Sequence, residues 1–102
     1  MKIMTYEQLK ELKAREEDFL LVNVLKLDIP GSVQIPKTQP DFESRVEQVA
    51  GDKQRTVVVY CSDYECSASR SAAKKLENAG FADVYAYEGG IHEWQEKSAE
   101  AN

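Results

Sequence analysis

Apolar residues fall into short dense blocks along the chain, separated by charged stretches in which apolar positions recur at helical spacing. Two blocks, Phe19-Leu20-Leu21-Val22-Asn23-Val24-Leu25 and Thr56-Val57-Val58-Val59-Tyr60-Cys61, are almost continuous. Runs of that length and β-branched content are expected of strands covered on both faces, as in a parallel sheet. A third, Asp83-Val84-Tyr85-Ala86-Tyr87, alternates and predicts another strand. Between the blocks lie helical stripes: Leu9 and Leu12 with the stem of Lys13; Phe42, Val46 and Val49; Ala72, Ala73, Leu76 and Ala79; and a short segment over 91–97 carrying Trp94. Thr5-Tyr6-Glu7-Gln8 has the form of a capping box, and the first helix is expected to stop around 15–17. Pro40 or Asp41 opens the second helix and Gly51 closes it, while Gly80 stops the third. Residues 26–39 contain Pro30-Gly31 and Pro36 and read as loop, with room for a short strand over 32–35.

The alternation βαβαβα predicts an open α/β fold: a mainly parallel sheet of four to five strands with helices on both faces. Residues 1–102 form a single domain, frayed from about 98 onward. In such sheets ligands bind beyond the carboxyl ends of the strands. Cys61 stands there. A thiol between the end of a buried strand and the first turn of a helix lies where backbone N–H groups converge to stabilise an anion, so Cys61 is the candidate nucleophile.

Charge and composition narrow the partners. A net charge of -5 and a pI near 4.9 work against nucleic acid and anionic membranes, which need a basic face. No apolar run approaches the roughly 20 residues that span a bilayer, and the amino terminus lacks the apolar core of a signal peptide, so a cytoplasmic location is expected. The two cysteines, Cys61 and Cys66, are separated by four residues, which matches no common zinc half-site, and the chain has one histidine. No metal is expected. His92, beside Glu93, reads as a surface residue, and Trp94 as a core anchor.

The order of these motifs resembles the rhodanese-like domain, the small α/β module of sulfurtransferases and their non-catalytic relatives. Val57-Val58-Val59-Tyr60-Cys61 is similar to its strand and reactive cysteine, and the stretch from Ser71-Ala72-Ala73 through Ala79-Gly80-Phe81 to the helix that follows. Val84-Tyr85, Glu88-Gly89-Gly90-Ile91 and Trp94 resemble the closing strand, turn and helix, and Ile29-Pro30-Gly31-Ser32-Val33-Gln34-Ile35-Pro36 an earlier Ile-Pro-Gly segment. The resemblance implies a sulfurtransferase in which the Cys61 thiolate takes sulfane sulfur from a small donor, holds it as a persulfide within a nest of loop amides, and passes it to a thiophilic or protein-thiol acceptor. No cofactor is implied. Ser62, Asp63, Tyr64, Glu65, Ser67, Ala68 and Ser69 would surround the sulfur, Tyr64 as a lid, and Ser67, Ser69 and Ser71 would cap the next helix. Arg70 would orient an anion, or pair with Glu65 or Asp63.

The loop departs from the usual Cys-x4-Arg spacing, with eight residues between Cys61 and Arg70. Asp63 and Glu65 disfavour a neighbouring thiolate and repel a dianion, which works against thiosulfate as donor. Asn23 stands where an acid is usual. Cys66 adds a second thiol, able to resolve a persulfide or sulfenate, to act as nucleophile itself, or simply to fill space. The alternative reading is therefore a non-catalytic binding or redox-sensing module using the Cys61/Cys66 pair. Phosphatase-like or arsenate-reductase-like chemistry is disfavoured by the long, acidic loop.

Overall fold

The computed structural model describes residues 2–15, 18–24, 29, 32–35, 40–61 and 68–100, the last three by backbone alone. The apolar runs become the middle of a five-stranded sheet. In chain order the elements are β1 (Lys2–Met4), α1 (Tyr6–Ala14), β2 (Phe19–Asn23), β3 (Val33–Gln34), α2 (Phe42–Ala50), β4 (Thr56–Tyr60), α3 (Ala68–Asn78), β5 (Val84–Tyr87) and α4 (Gly90–Glu100). The strands lie in the order β1-β5-β4-β2-β3, and every neighbouring pair is parallel. The two most apolar strands are thus interior: Leu21 pairs with Val58 and Val58 with Tyr85, so β4 is flanked on both sides.

Alternation along the strands divides the core into two layers. Leu20, Val22, Val57, Val59, Cys61, Val84 and Ala86 face α2 and α3, where they meet Phe42, Val46, Ala72, Ala73 and Leu76. The intervening residues Leu21, Val58, Tyr60 and Tyr87 face α1 and α4, against Tyr6, Leu9 and Ile91. The small Ala72 and Ala73 are fully buried and let α3 lie close to the sheet.

Local signals hold where chemistry dictates them. The Gln8 backbone N–H donates to the Thr5 hydroxyl at 3.2 Å and the Thr5 N–H to Gln8 Oε1 at 2.9 Å, completing the capping box. Trp94 packs beside Tyr6, ring centroids 5.3 Å apart, as a core anchor. Three expectations are corrected. The sheet gains β1, which the pattern did not suggest. In α2 the buried stripe is Phe42, Val46 and Ala50, and Val49 is 43% exposed. Finally α4, expected over 91–97, spans Gly90–Glu100.

β1 is tied to its neighbour by charge. Lys2 Nζ donates to Asp83 Oδ1 at 2.6 Å and to Tyr85 Oη at 3.2 Å, and the Thr56 hydroxyl donates to Asp83 Oδ2 at 2.7 Å. The bond from Lys2, then that from Thr56, holds the Asp83 carboxyl below its ordinary 3.8; the bond to Asp83 raises Lys2 above 10.5. The carboxylate's contribution is therefore present above pH 3.8 and lost as pH falls through the lower folded value. That of the ammonium is complete below pH 10.5 and lost as pH rises through the higher one. Urea unfolding across pH should show Asp83→Asn closing its stability gap with the parent protein at acid pH and keeping it at neutrality.

Candidate functional site

β2, β4 and β5 end at the same edge of the sheet, with Asn23, Tyr60 and Tyr87 in register across it. Cys61 follows directly on β4. By strand alternation its side chain joins the α2/α3 layer, 2% exposed. Its backbone is pinned from the other side: the Ile91 N–H, in the first turn of α4, donates to the Cys61 carbonyl at 3.1 Å. The sulfur-bearing residue thus stands against the amino terminus of α4, in a chain that next enters the amino terminus of α3. Helix amino termini carry partial positive charge and unsatisfied N–H groups, a setting that favours an anion.

Cys61 is half of a disulfide in this structure. The chain's other cysteine, Cys66, lies outside the described residues, as do Ser62, Asp63, Tyr64, Glu65 and Ser67. Ala68 opens α3 and packs partly buried on the core. Ser69, expected to cap that helix, is instead its second residue and fully buried; its hydroxyl has no hydrogen-bond partner among the described residues. A buried hydroxyl left so costs about 1–3 kcal/mol. Arg70 turns to Glu88, with Nη1 donating to Oε2 at 2.9 Å. The guanidinium is about half exposed at 47% and the carboxylate more enclosed at 22%. His92 lies on the surface, its side chain 71% exposed and 3.3 Å from Glu96. Among the described residues no three His, Cys, Asp or Glu side chains gather as a metal site.

Two neighbours escaped the sequence reading. Tyr60, fully buried on the α1/α4 side, uses its hydroxyl to gather the preceding loop: the Ile29 N–H donates to it at 2.7 Å, and Ser32 Oγ lies at 2.8 Å. Glu88 follows β5 and reaches α3. Both sit at the carboxyl edge, so the rule that placed Cys61 there would have found them.

The Gly89-Gly90 turn sets the approach of α4. Gly90 has φ 63°, a conformation that side-chain-bearing residues rarely adopt. At Gly89 the constraint is space: an added Cβ would collide with Glu93 Oε1 and stand 2.6 Å from its Cδ and 2.8 Å from its Cβ. Gly89→Ala should therefore displace Glu93 and its 3.3 Å ion pair with Lys97, at a cost of about 1–3 kcal/mol in urea unfolding. That cost should be smaller in a Glu93→Ala background, where the two closest atoms are gone.

A family model described as the rhodanese-like domain matches residues 6–97. The chain belongs to the rhodanese-like domain family. Solved structures agree in fold. The BH2092 protein from Bacillus halodurans superposes with a TM-score of 0.83 at 22% identity, over 95% of this chain and 73% of that one. A thiosulfate sulfurtransferase from Pseudomonas aeruginosa gives 0.83 at 21% identity; the match takes in 96% of this chain and 19% of the larger protein. The human single-domain sulfurtransferase TSTD1 gives 0.78 at 19% identity, over 95% and 97% of the two chains. No curated protein matches the chain in sequence. Among the described residues of this rhodanese-like domain no helix is long and apolar enough to cross a membrane.

Proposed function

We propose that this rhodanese-like domain is a sulfurtransferase carrying sulfane sulfur as a persulfide on Cys61. The observation that carries the reading is the position of Cys61, directly after the central strand, with its carbonyl held by the first turn of α4. The names of two structural relatives, both sulfurtransferases, support it.

In the proposed reaction the reduced Cys61 thiolate attacks the outer sulfur of a donor. An S–S bond forms to Cys61, the donor's S–S bond breaks, and the leaving group departs with the electron pair, sulfite where thiosulfate is the donor. The persulfide anion is stabilised by N–H groups at the helix amino termini and by the Ser69 hydroxyl. A thiophilic acceptor then removes the outer sulfur; cyanide gives thiocyanate and restores the thiolate. In this reading Ser62, Asp63, Tyr64, Glu65 and Ser67 supply loop groups around the sulfur, Ala68 the start of α3, and Cys66 a second thiol. The disulfide at Cys61 must first be reduced by a dithiol, which supplies two electrons and two protons.

The test is intact-protein mass spectrometry of the dithiol-reduced chain, freed of reductant, after exposure to thiosulfate, inorganic polysulfide and dilute peroxide in parallel. One added sulfur, mapped to Cys61 and discharged by cyanide, is the expected result. If sulfur never adds and peroxide only restores a disulfide, the assignment fails and the domain is a redox-responsive module instead.

A further inference from the structure

We infer that Glu88 is a specificity-determining residue, which disfavours dianionic sulfur donors by occupying Arg70. The inference rests on the sulfurtransferase reading and names the donor class of that same site. In the first turns of α4, which holds the Cys61 carbonyl, and of α3, which Glu88 ties to the same edge of the sheet, Arg70 is the only lysine or arginine. Histidine 92 in α4 is directed to Glu96 and solvent. Arg70 is therefore the one permanent cation on these two turns for a donor's charge to meet.

Its charge is already engaged. Glu88 Oε2 accepts from Nη1 at 2.9 Å, and the carboxylate is the more enclosed partner, held at the end of β5 just before the Gly89-Gly90 turn. A guanidinium so occupied offers little net field to an incoming anion, since a donor must compete with a carboxylate already in place. The cost of that competition grows with donor charge, because each extra negative charge also meets Glu88. Thiosulfate, a dianion, is penalised more than a singly charged donor whose S–S bond is cleaved in the same way. The remaining guanidinium N–H groups still allow Arg70 to orient a monoanion.

The experiment compares thiosulfate with methanethiosulfonate, its monoanionic analogue, in a cyanide-dependent thiocyanate assay on the reduced full chain. The parent protein, Glu88→Gln, Glu88→Asp and the Glu88→Gln/Arg70→Gln double variant are measured. For a partly exposed pair the expected rise in kcat/KM for thiosulfate in Glu88→Gln is about fivefold, and that for methanethiosulfonate about twofold. The rise should shrink with added salt, stay absent in Glu88→Asp, and vanish in the double variant. An equal change for both donors, or a rise that persists without Arg70, overturns the inference and leaves Glu88 a purely structural contact. If the parent protein takes sulfur from neither donor nor from polysulfide, the sulfurtransferase reading falls and this one with it. Loading by polysulfide with unaltered donor preference in Glu88→Gln overturns only this one.

Discussion

Cys61→Ser, assayed after reduction, is expected to lose sulfur transfer by a factor on the order of a thousand or more, with its fold intact. The size follows from the chemistry. The proposed route passes through a covalent persulfide, and a serine hydroxyl neither ionises near neutral pH nor attacks sulfane sulfur as a thiolate does. The loss should appear in kcat as well as kcat/KM, because the variant has no alternative step to fall back on. Stability should fall only modestly relative to the reduced parent, by about 1–3 kcal/mol, because the exchange trims the α2/α3 layer slightly and places a hydroxyl where a nearly buried sulfur was. Cys66→Ser supplies the contrast. It should accept sulfur without prior treatment with dithiol, since the chain then has no second cysteine with which Cys61 is oxidised. Transfer that survives in Cys61→Ser and disappears in Cys66→Ser would move the nucleophile to Cys66.

The parts of this site legible in the sequence are those set by short-range patterns. A β-branched run ending in cysteine, followed by small residues at helical spacing, places a thiol between strand and helix whatever the rest of the chain does. The parts that were not legible depend on what the sheet brings together. Arg70 was expected either to orient an anion or to pair with Glu65 or Asp63 of its own loop. Its recorded partner is Glu88, eighteen residues away, which only the parallel pairing of β4 with β5 delivers to the same edge. Ser69 looked like a cap from its place before the alanines, but lies one residue inside the helix and faces the core. β1 was missed for a different reason. Three residues, one of them Ile3 at 46% exposed, carry too little periodicity to announce a strand; the pairing with β5 and the Lys2–Asp83 contact make it one.

Helix α2 gives the sharpest test of how side-chain arithmetic decides packing. The sequence offers Val49 as the third buried position, the more hydrophobic choice over Ala50. Residues four apart stay on one face, however, so Phe42 and Val46 carry Ala50 inward with them and turn Val49 outward. Phe42 is fully buried at the start of the helix, and with Val46 it provides most of the apolar volume by which α2 covers the sheet. Phe42→Ala is therefore expected to cost about 3–5 kcal/mol, through lost transfer energy and the cavity left against a sheet that cannot collapse into it. For a domain of this length that is a large share of a total of roughly 5–15 kcal/mol, and it should lower the thermal midpoint by roughly 15–30 °C. Val49→Ala, on the exposed side, should change stability by no more than about 0.5 kcal/mol. Urea unfolding of both variants checks the pair. Equal losses would mean that α2 is rotated about its axis from the orientation described, and that Val49 rather than Ala50 faces the sheet.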